Sequence, residues 1–356
     1  MNKPHFMICA DITSVGIESN GKASLLRLGA EIQKNNYEVS VVFYVSTVGD
    51  PSETPTIPAG HHIIDLHPYF GIGFEEFAKK FPDTHERISE RRFSKVQYAQ
   101  SVCAMYGLKP ADKLTISLNP NIIPIYPDAL ADNPLKANNV IRYHGFKPGL
   151  LLNQNDKGYK YDQREFNLAS SKNTLSDPDF VLFDPHVDEI FMKLGRPRTE
   201  DRLYNMSYVG KSKVLNTYHP IPNAIEIDRE WPDRYKLFRL LSNCNYLYTL
   251  DSYSHIISEA ILCGAVPIIV SSGPWSNEEI DTGELGPIPR LEVSDIKNAK
   301  VKLINFNDER KRLLNTFEML QRQWPLRVAE FIKCVIEHFY EAKRASVSPS
   351  FEHLNQ

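Results

Sequence analysis

Apolar residues along this chain fall into short blocks of two periods. Phe6 to Ala10 is a continuous apolar run closed by Asp11, the pattern of a strand buried on both faces. Leu25, Leu28 and Ile32 recur at helical spacing, Asn35-Asn36 breaks that pattern, and Val39 to Val45 is β-rich. Strand, loop with Gly16, Asn20 and Gly21, helix over Ala23 to Gln33, and strand make a βαβ unit. That unit predicts a parallel sheet with right-handed crossovers.

From Thr47 to Pro110 the pattern is interrupted by Pro- and Gly-containing turns, followed by a charged segment over 77–97 that reads as a solvated helix. Two short apolar runs flank Asn119-Pro120-Asn121, and Val140 to Tyr143 is a strand ending at His144-Gly145. Residues 153–177 are polar and read as loop, and Asp179 to Phe183 is one more short strand. A second series begins near Leu203. Strands are expected at Tyr204 to Val209, Ala224 to Ile227, Asn245 to Leu250 and Val266 to Val270. A helix starting at Pro232 carries Leu237, Leu240 and Leu241, and another over Ser254 to Leu262 is stopped by Gly264. From Asp308 the chain reads as helical, with a break near Trp324-Pro325.

Two successive series of this kind predict an α/β chain of two Rossmann-like domains facing a central cleft. Their bounds are read as 1–195 and 196–345, with closing helices in the second and a polar tail at 346–356. The 356 residues suffice for two ordinary cores. A formal charge of -3, from 41 basic and 44 acidic residues, supplies no field that would draw the chain to nucleic acid, which removes that partner class. Cys9, Cys103, Cys244, Cys263 and Cys334 are scattered without CxxC spacing, so they read as reduced core thiols. With no signal-peptide or membrane-spanning pattern, a cytoplasmic location is expected, and peripheral attachment at the inner membrane is left open.

The stretch richest in chemistry is TLDSYSHIISEAILCGAVPIIV. Asp251 closes a strand, and Glu259 follows after seven intervening residues, on the helix that comes next. The start of such a helix lies at the carboxyl edge of a parallel sheet, where ligands bind and where its dipole favours a phosphate. A carboxylate in the first helical turn accepts hydrogen bonds from a ribose diol, and Ser252, Ser254 and Ser258 suit capping or phosphate contact. Glu259 equally suits the plainer role of complementing the helix dipole.

This segment resembles the donor site of the retaining family 4 glycosyltransferases of GT-B architecture: Glu, seven residues, Glu-Ala, then Gly-x-Pro-Val-Ile. Here the pattern is carried by Asp251, Glu259-Ala260, Cys263-Gly264 and Val266-Pro267-Ile268-Ile269. The resemblance implies that Glu259 binds the nucleotide ribose. It also implies that Asp251, one methylene shorter than the usual Glu, lies beside the donor sugar and phosphates. Tyr208-Val209-Gly210-Lys211 resembles the start of that family's C-terminal domain, so Lys211 is implied to meet the pyrophosphate. Gly21 lies in a stretch similar to the family's N-terminal glycine loop, without its double glycine. Ile125-Tyr126-Pro127-Asp128, Asn133-Pro134-Leu135, Val140-Ile141-Arg142, Pro148-Gly149 and Arg229 with Trp231-Pro232 resemble bacterial surface-polysaccharide transferases of the rhamnosyltransferase type.

Taken together, the resemblance implies a cytoplasmic glycosyltransferase whose N-terminal domain takes a saccharide or lipid-linked acceptor and whose C-terminal domain takes a nucleotide sugar. The configuration is retained, and the donor is a substrate, so no cofactor is needed. His144 is a candidate near the donor sugar or a structural hydrogen-bonder. Arg142 is a candidate for phosphate or acceptor, or a partner in an interface salt bridge. Arg229 suits a diphosphate or holds Asp228 or Glu230. His61-His62, Asp65 and His67 lack metal-ligand spacing, and no Asp-x-Asp follows a strand, so no metal is expected. Two rival readings share the architecture: a sugar-nucleotide epimerase and a non-enzymatic two-lobed sugar-binding protein. A dehydrogenase is disfavoured because the first βα loop has no GxGxxG.

Overall fold

A computed structural model describes residues 3–11, 20–46, 61–63, 97–111, 121–128, 130, 133–147, 165–209, 221–227, 233–270 and 275–341. The first apolar run is β1 (His5–Asp11), buried along its length apart from Asp11. It pairs in parallel with β2 (Glu38–Ser46) and with β5 (Ile122–Pro127). Between β1 and β2 runs α1 (Asn20–Lys34), which turns Leu25, Leu28 and Ile32 onto the sheet as its spacing dictates. A Cβ at Gly29 would come within 2.8 Å of Ile8 Cγ1, so glycine sets how closely α1 approaches β1. The helix ends at Lys34, and Asn36, with a left-handed φ of 63°, turns the chain towards β2.

The first sheet is completed by β3 (His61–Ile63), β4 (Lys109–Pro110), β6 (Ile141–His144), β7 (Phe166–Ala169) and β8 (Phe180–Val181). Its order is β3-β2-β1-β5-β6-β7-β8, with β4 also pairing β2, and every pair is parallel except the edge strand β3. β7 falls inside the stretch read as loop. Phe166 and Leu168 are buried in the core of this sheet, a contact that four residues among polar neighbours do not announce. The charged segment expected to be helical lies, but for Gln97, outside the described residues.

The second sheet has order β10-β9-β11-β12-β13 and is parallel throughout. Its strands are β9 (Tyr204–Tyr208), β10 (Ala224–Ile227), β11 (Cys244–Thr249), β12 (Val266–Ile269) and β13 (Leu291–Glu292). The helices that cover it include α2 (Glu189–Leu194), α3 (Arg234–Asn243), α4 (His255–Leu262) and α5 (Asn277–Asp281). Phe191, Leu237, Leu241, Ile257 and Ile261 from α2, α3 and α4 share one core, separate from that of the first sheet. The chain therefore has the expected α/β architecture of two Rossmann-like domains.

The last long helix, α6 (Phe306–Ile336), departs from expectation because it runs unbroken through Pro325. Leu313 and Phe317 on its first half pack in the second core, whereas Trp324, Val328, Phe331 and Val335 pack in the first. A proline in a helix interior costs about 3 kcal/mol. Each fully buried large apolar side chain contributes about 1.5–3 kcal/mol, so burial on both sides of Pro325 outweighs that cost. Among the described residues no helix is long and apolar enough to cross a membrane.

Candidate functional site

The site is built where β11 hands over to α4. Thr249 Oγ1 donates to the Asp251 carbonyl at 2.9 Å and accepts from the Asp251 amide at 3.0 Å, which folds the chain sharply as it leaves the sheet. Asp251 and Ser252 are buried in this turn. Ser254 is the N-cap of α4 by position, but its hydroxyl makes no capping bond. The positive end of α4 thus opens at the carboxyl edge of the second sheet with no capping bond from Ser254. At the other end, Gly264 closes the helix with φ of 79°.

Glu259 lies in the second turn of α4, as its fifth residue, and not in the first turn as expected, because the helix is already under way at His255. It is 3% exposed. Its Oε1 accepts a short hydrogen bond from Arg234 at the start of α3. The Nε of Arg234 lies 3.5 Å from Asp188 Oδ2, and its guanidinium covers the Phe191 ring at 4.9 Å. Burial raises the affinity of Glu259 for a proton, and the Arg234 guanidinium opposes that. Sequence spacing gives no sign of Arg234, since its pairing joins helices separated by a strand.

In the first sheet, His144 ends β6, fully buried, with its Nε2 3.1 Å from Asn167 Oδ1. Burial lowers its pKa, with the neighbouring Arg142 adding to the effect and Asn167 opposing it. Arg142 serves as a structural anchor: its Nε and Nη2 meet the two oxygens of Glu165 at 3.0 and 2.8 Å, and its Nη1 donates to the Leu130 carbonyl. This geometry matches the salt-bridge alternative, with the partner inside its own domain. Gly21 sits in the first turn of α1 and not in a loop, exposed, with nothing within 4 Å of where a Cβ would stand. Lys211 and Arg229 lie outside the described residues.

The two edges meet through aromatic rings. Phe146, two residues after His144, packs edge-on against Trp275 at 5.7 Å, and Trp275 stacks on Tyr253 at 4.4 Å. Tyr253 is two residues after Asp251. Lys147 lies over the Trp275 ring at 4.7 Å and pairs with Glu279 of α5 at 2.5 Å. Ser171 joins Tyr253 and Glu284, each at 2.8 Å, and the Lys172 amide donates to Glu284 at 2.8 Å. His144 and the Asp251 turn are therefore tied to one shared cluster. Among the described residues no group of three or more His, Cys, Asp or Glu side chains is placed to hold a metal ion.

No family model matches the chain, and no curated protein matches its sequence. Solved structures similar to it include sucrose-phosphate synthase from Thermosynechococcus elongatus, 13% identical with a TM-score of 0.41, covering 97% of this chain and 100% of that one. UDP-GlcNAc 2-epimerase from Neisseria meningitidis bound to UDP-GlcNAc is 10% identical with a TM-score of 0.40, covering 94% of this chain and 100% of that one. MurG from Acinetobacter baumannii is 11% identical with a TM-score of 0.33, covering 93% of this chain and 99% of that one. The fold stated above rests on the strand order and register of this chain, not on these distant likenesses.

Proposed function

We propose that the chain is a GT-B glycosyltransferase of the retaining family 4 kind. It moves a sugar from a nucleotide-sugar donor to a saccharide or lipid-linked acceptor in bacterial surface-polysaccharide synthesis. The observation that carries the reading is the buried carboxylate of Glu259 in the second turn of a helix that opens, with no capping bond from its N-cap Ser254, at the carboxyl edge of a parallel sheet. A nucleoside diphosphate matches both parts: its phosphates suit the positive end of α4, and its ribose hydroxyls suit Glu259.

In the proposed reaction the bond between the anomeric carbon and the phosphate oxygen breaks, and the bonding pair leaves with the nucleoside diphosphate. The acceptor oxygen forms the new bond to that carbon and passes its proton to the leaving phosphate oxygen. Charge growing on the leaving phosphate is met by the amides of α4 and by Lys211 and Arg229. Asp251 and His144 lie on the donor-sugar side, from the C- and N-terminal domains respectively. Closure of the domains keeps water from the donor. The domain built on the first sheet takes the acceptor, and the domain built on the second sheet takes the donor.

Incubation with UDP-, GDP-, dTDP- and ADP-sugars, with and without a mixture of saccharide acceptors, tests this reading. Nucleoside diphosphate release from one donor, raised at least tenfold by acceptor, is expected. Turnover of the sugar nucleotide that is equal without acceptor indicates an epimerase or hydrolase and sinks the transferase reading.

A further inference from the structure

A carboxylate as deeply buried as Glu259 is a poor hydrogen-bond acceptor unless something holds its charge, because loss of water disfavours the ionised form. Once protonated, a carboxyl brings its own O–H and accepts less well from a diol. The structure contains a device that addresses this. Arg234 donates to Glu259 Oε1, and the guanidinium is itself held between Asp188 and the face of Phe191. Asp188 is fixed in turn, since it caps α2 by accepting from the Ile190 amide at 3.2 Å. Arg234 begins α3, whose N-cap Asp233 accepts from the Lys236 amide at 3.0 Å, so its backbone is anchored as well. The other oxygen of Glu259, Oε2, takes no hydrogen bond from a described residue.

Among the described residues, the charged and titratable groups around Glu259 come from three elements. Arg234 comes from α3, Asp188 from the turn before α2, and Cys263 from the end of α4 itself. Burial pushes the Cys263 thiol up to about 12, so it stays neutral. Asp188 works against ionisation of Glu259, which among the described residues leaves Arg234 as the group that favours it.

We propose that Arg234 is a positioning residue for the donor: it fixes Oε1 of Glu259 and maintains the carboxylate, so that Oε2 is presented to the ribose hydroxyls. The inference rests on the reading of Glu259 as the ribose-binding group, and it adds that donor affinity near neutral pH depends on a cation that need not touch the ligand. Arg234→Lys keeps the charge, whereas Arg234→Met keeps the length and removes it.

The test compares dissociation constants for the nucleoside diphosphate that wild type binds best among UDP, GDP, dTDP and ADP, at pH 5.5, 7.0 and 8.5. Ratios of variant to wild type at each pH cancel the titration of the phosphates. Arg234→Met is expected to bind at least tenfold more weakly at pH 5.5, with the ratio shrinking as pH rises and Glu259 ionises. Arg234→Lys should stay within threefold at every pH. A ligand-free arm measures urea midpoints over the same range. The cost of Arg234→Met should grow with pH and vanish in a Glu259→Gln background, because a carboxyl with a raised folded-state pKa loses stability as pH rises. A ratio that does not change with pH overturns the inference while leaving the donor reading intact. Wild type that binds none of the four nucleotides overturns both. Should Arg234→Met not fold, a tenfold or larger loss in Arg234→Lys at all pH values overturns it equally.

Discussion

At the scale of single residues, the chain handles its buried charges by surrounding them. Asp184 is 4% exposed, yet its Oδ2 accepts from Ser24 Oγ at 2.5 Å and from Arg27 at 2.6 and 2.9 Å. His186 Nδ1 lies 2.6 Å from its Oδ1. Burial alone would raise this carboxyl, but His186 and Arg27 outweigh it and hold the group well below the usual carboxylate range. A depressed folded-state pKa means stability that is present above the unfolded pKa, about 4, and lost as pH falls below it. Asp184→Asn should therefore cost about 3–5 kcal/mol at pH 7, the usual loss on breaking a buried pair, and the gap to wild type should narrow near pH 3. Urea midpoints at the two pH values check both the size and the sign. Residue types at the site were legible in part. The Asp251–Glu259 spacing can be read from the sequence, but the partners Arg234 for Glu259 and Glu165 for Arg142 come from other elements, and one-dimensional spacing carries no trace of them.

At the scale of elements, legibility follows the length and purity of the hydrophobic pattern. β1, α1, β2 and the run from β11 to β12 combine long apolar blocks with clear stops, and each lies where the sequence placed it. β7 was invisible because its four residues sit among polar neighbours and draw their stability from Phe331 and Phe339 on other elements, 5.9 and 6.4 Å from Phe166. Pro325 misled for the opposite reason: a strong local signal was overridden by burial on either side of it. Gly264 shows a local signal that tertiary packing reinforces. Its positive φ disfavours any other residue, and a Cβ would also come within 2.7 Å of the Arg196 carbonyl and 2.8 Å of the Arg198 amide. Gly264→Ala should cost about 2–4 kcal/mol in denaturant midpoint, combining left-handed strain with the displaced backbone. A cost below about 1 kcal/mol would mean that the loop before β9 yields easily.

At the scale of the whole molecule, two sheets with separate cores are joined, among the described residues, in at least two ways. α6 carries side chains into both cores, and the Phe146, Trp275 and Tyr253 cluster, with Lys147–Glu279 beside it, bridges the two carboxyl edges. The bridging aromatics flank the residues proposed to handle the donor, His144 on one side and Asp251 on the other, so domain contact and the proposed donor chemistry share one location. The proposed function turns on a nucleotide binding at the start of α4 with Glu259 as its ribose partner. Thermal unfolding of wild type and Glu259→Gln with UDP, GDP, dTDP, ADP and CMP decides the matter. A nucleotide at ~100 times its dissociation constant adds about 2.7 kcal/mol. One of the five is expected to raise the wild-type midpoint by several degrees and to do so far less in Glu259→Gln. No shift with any of them in a cooperatively unfolding sample, or an equal shift in the variant, would contradict that binding mode.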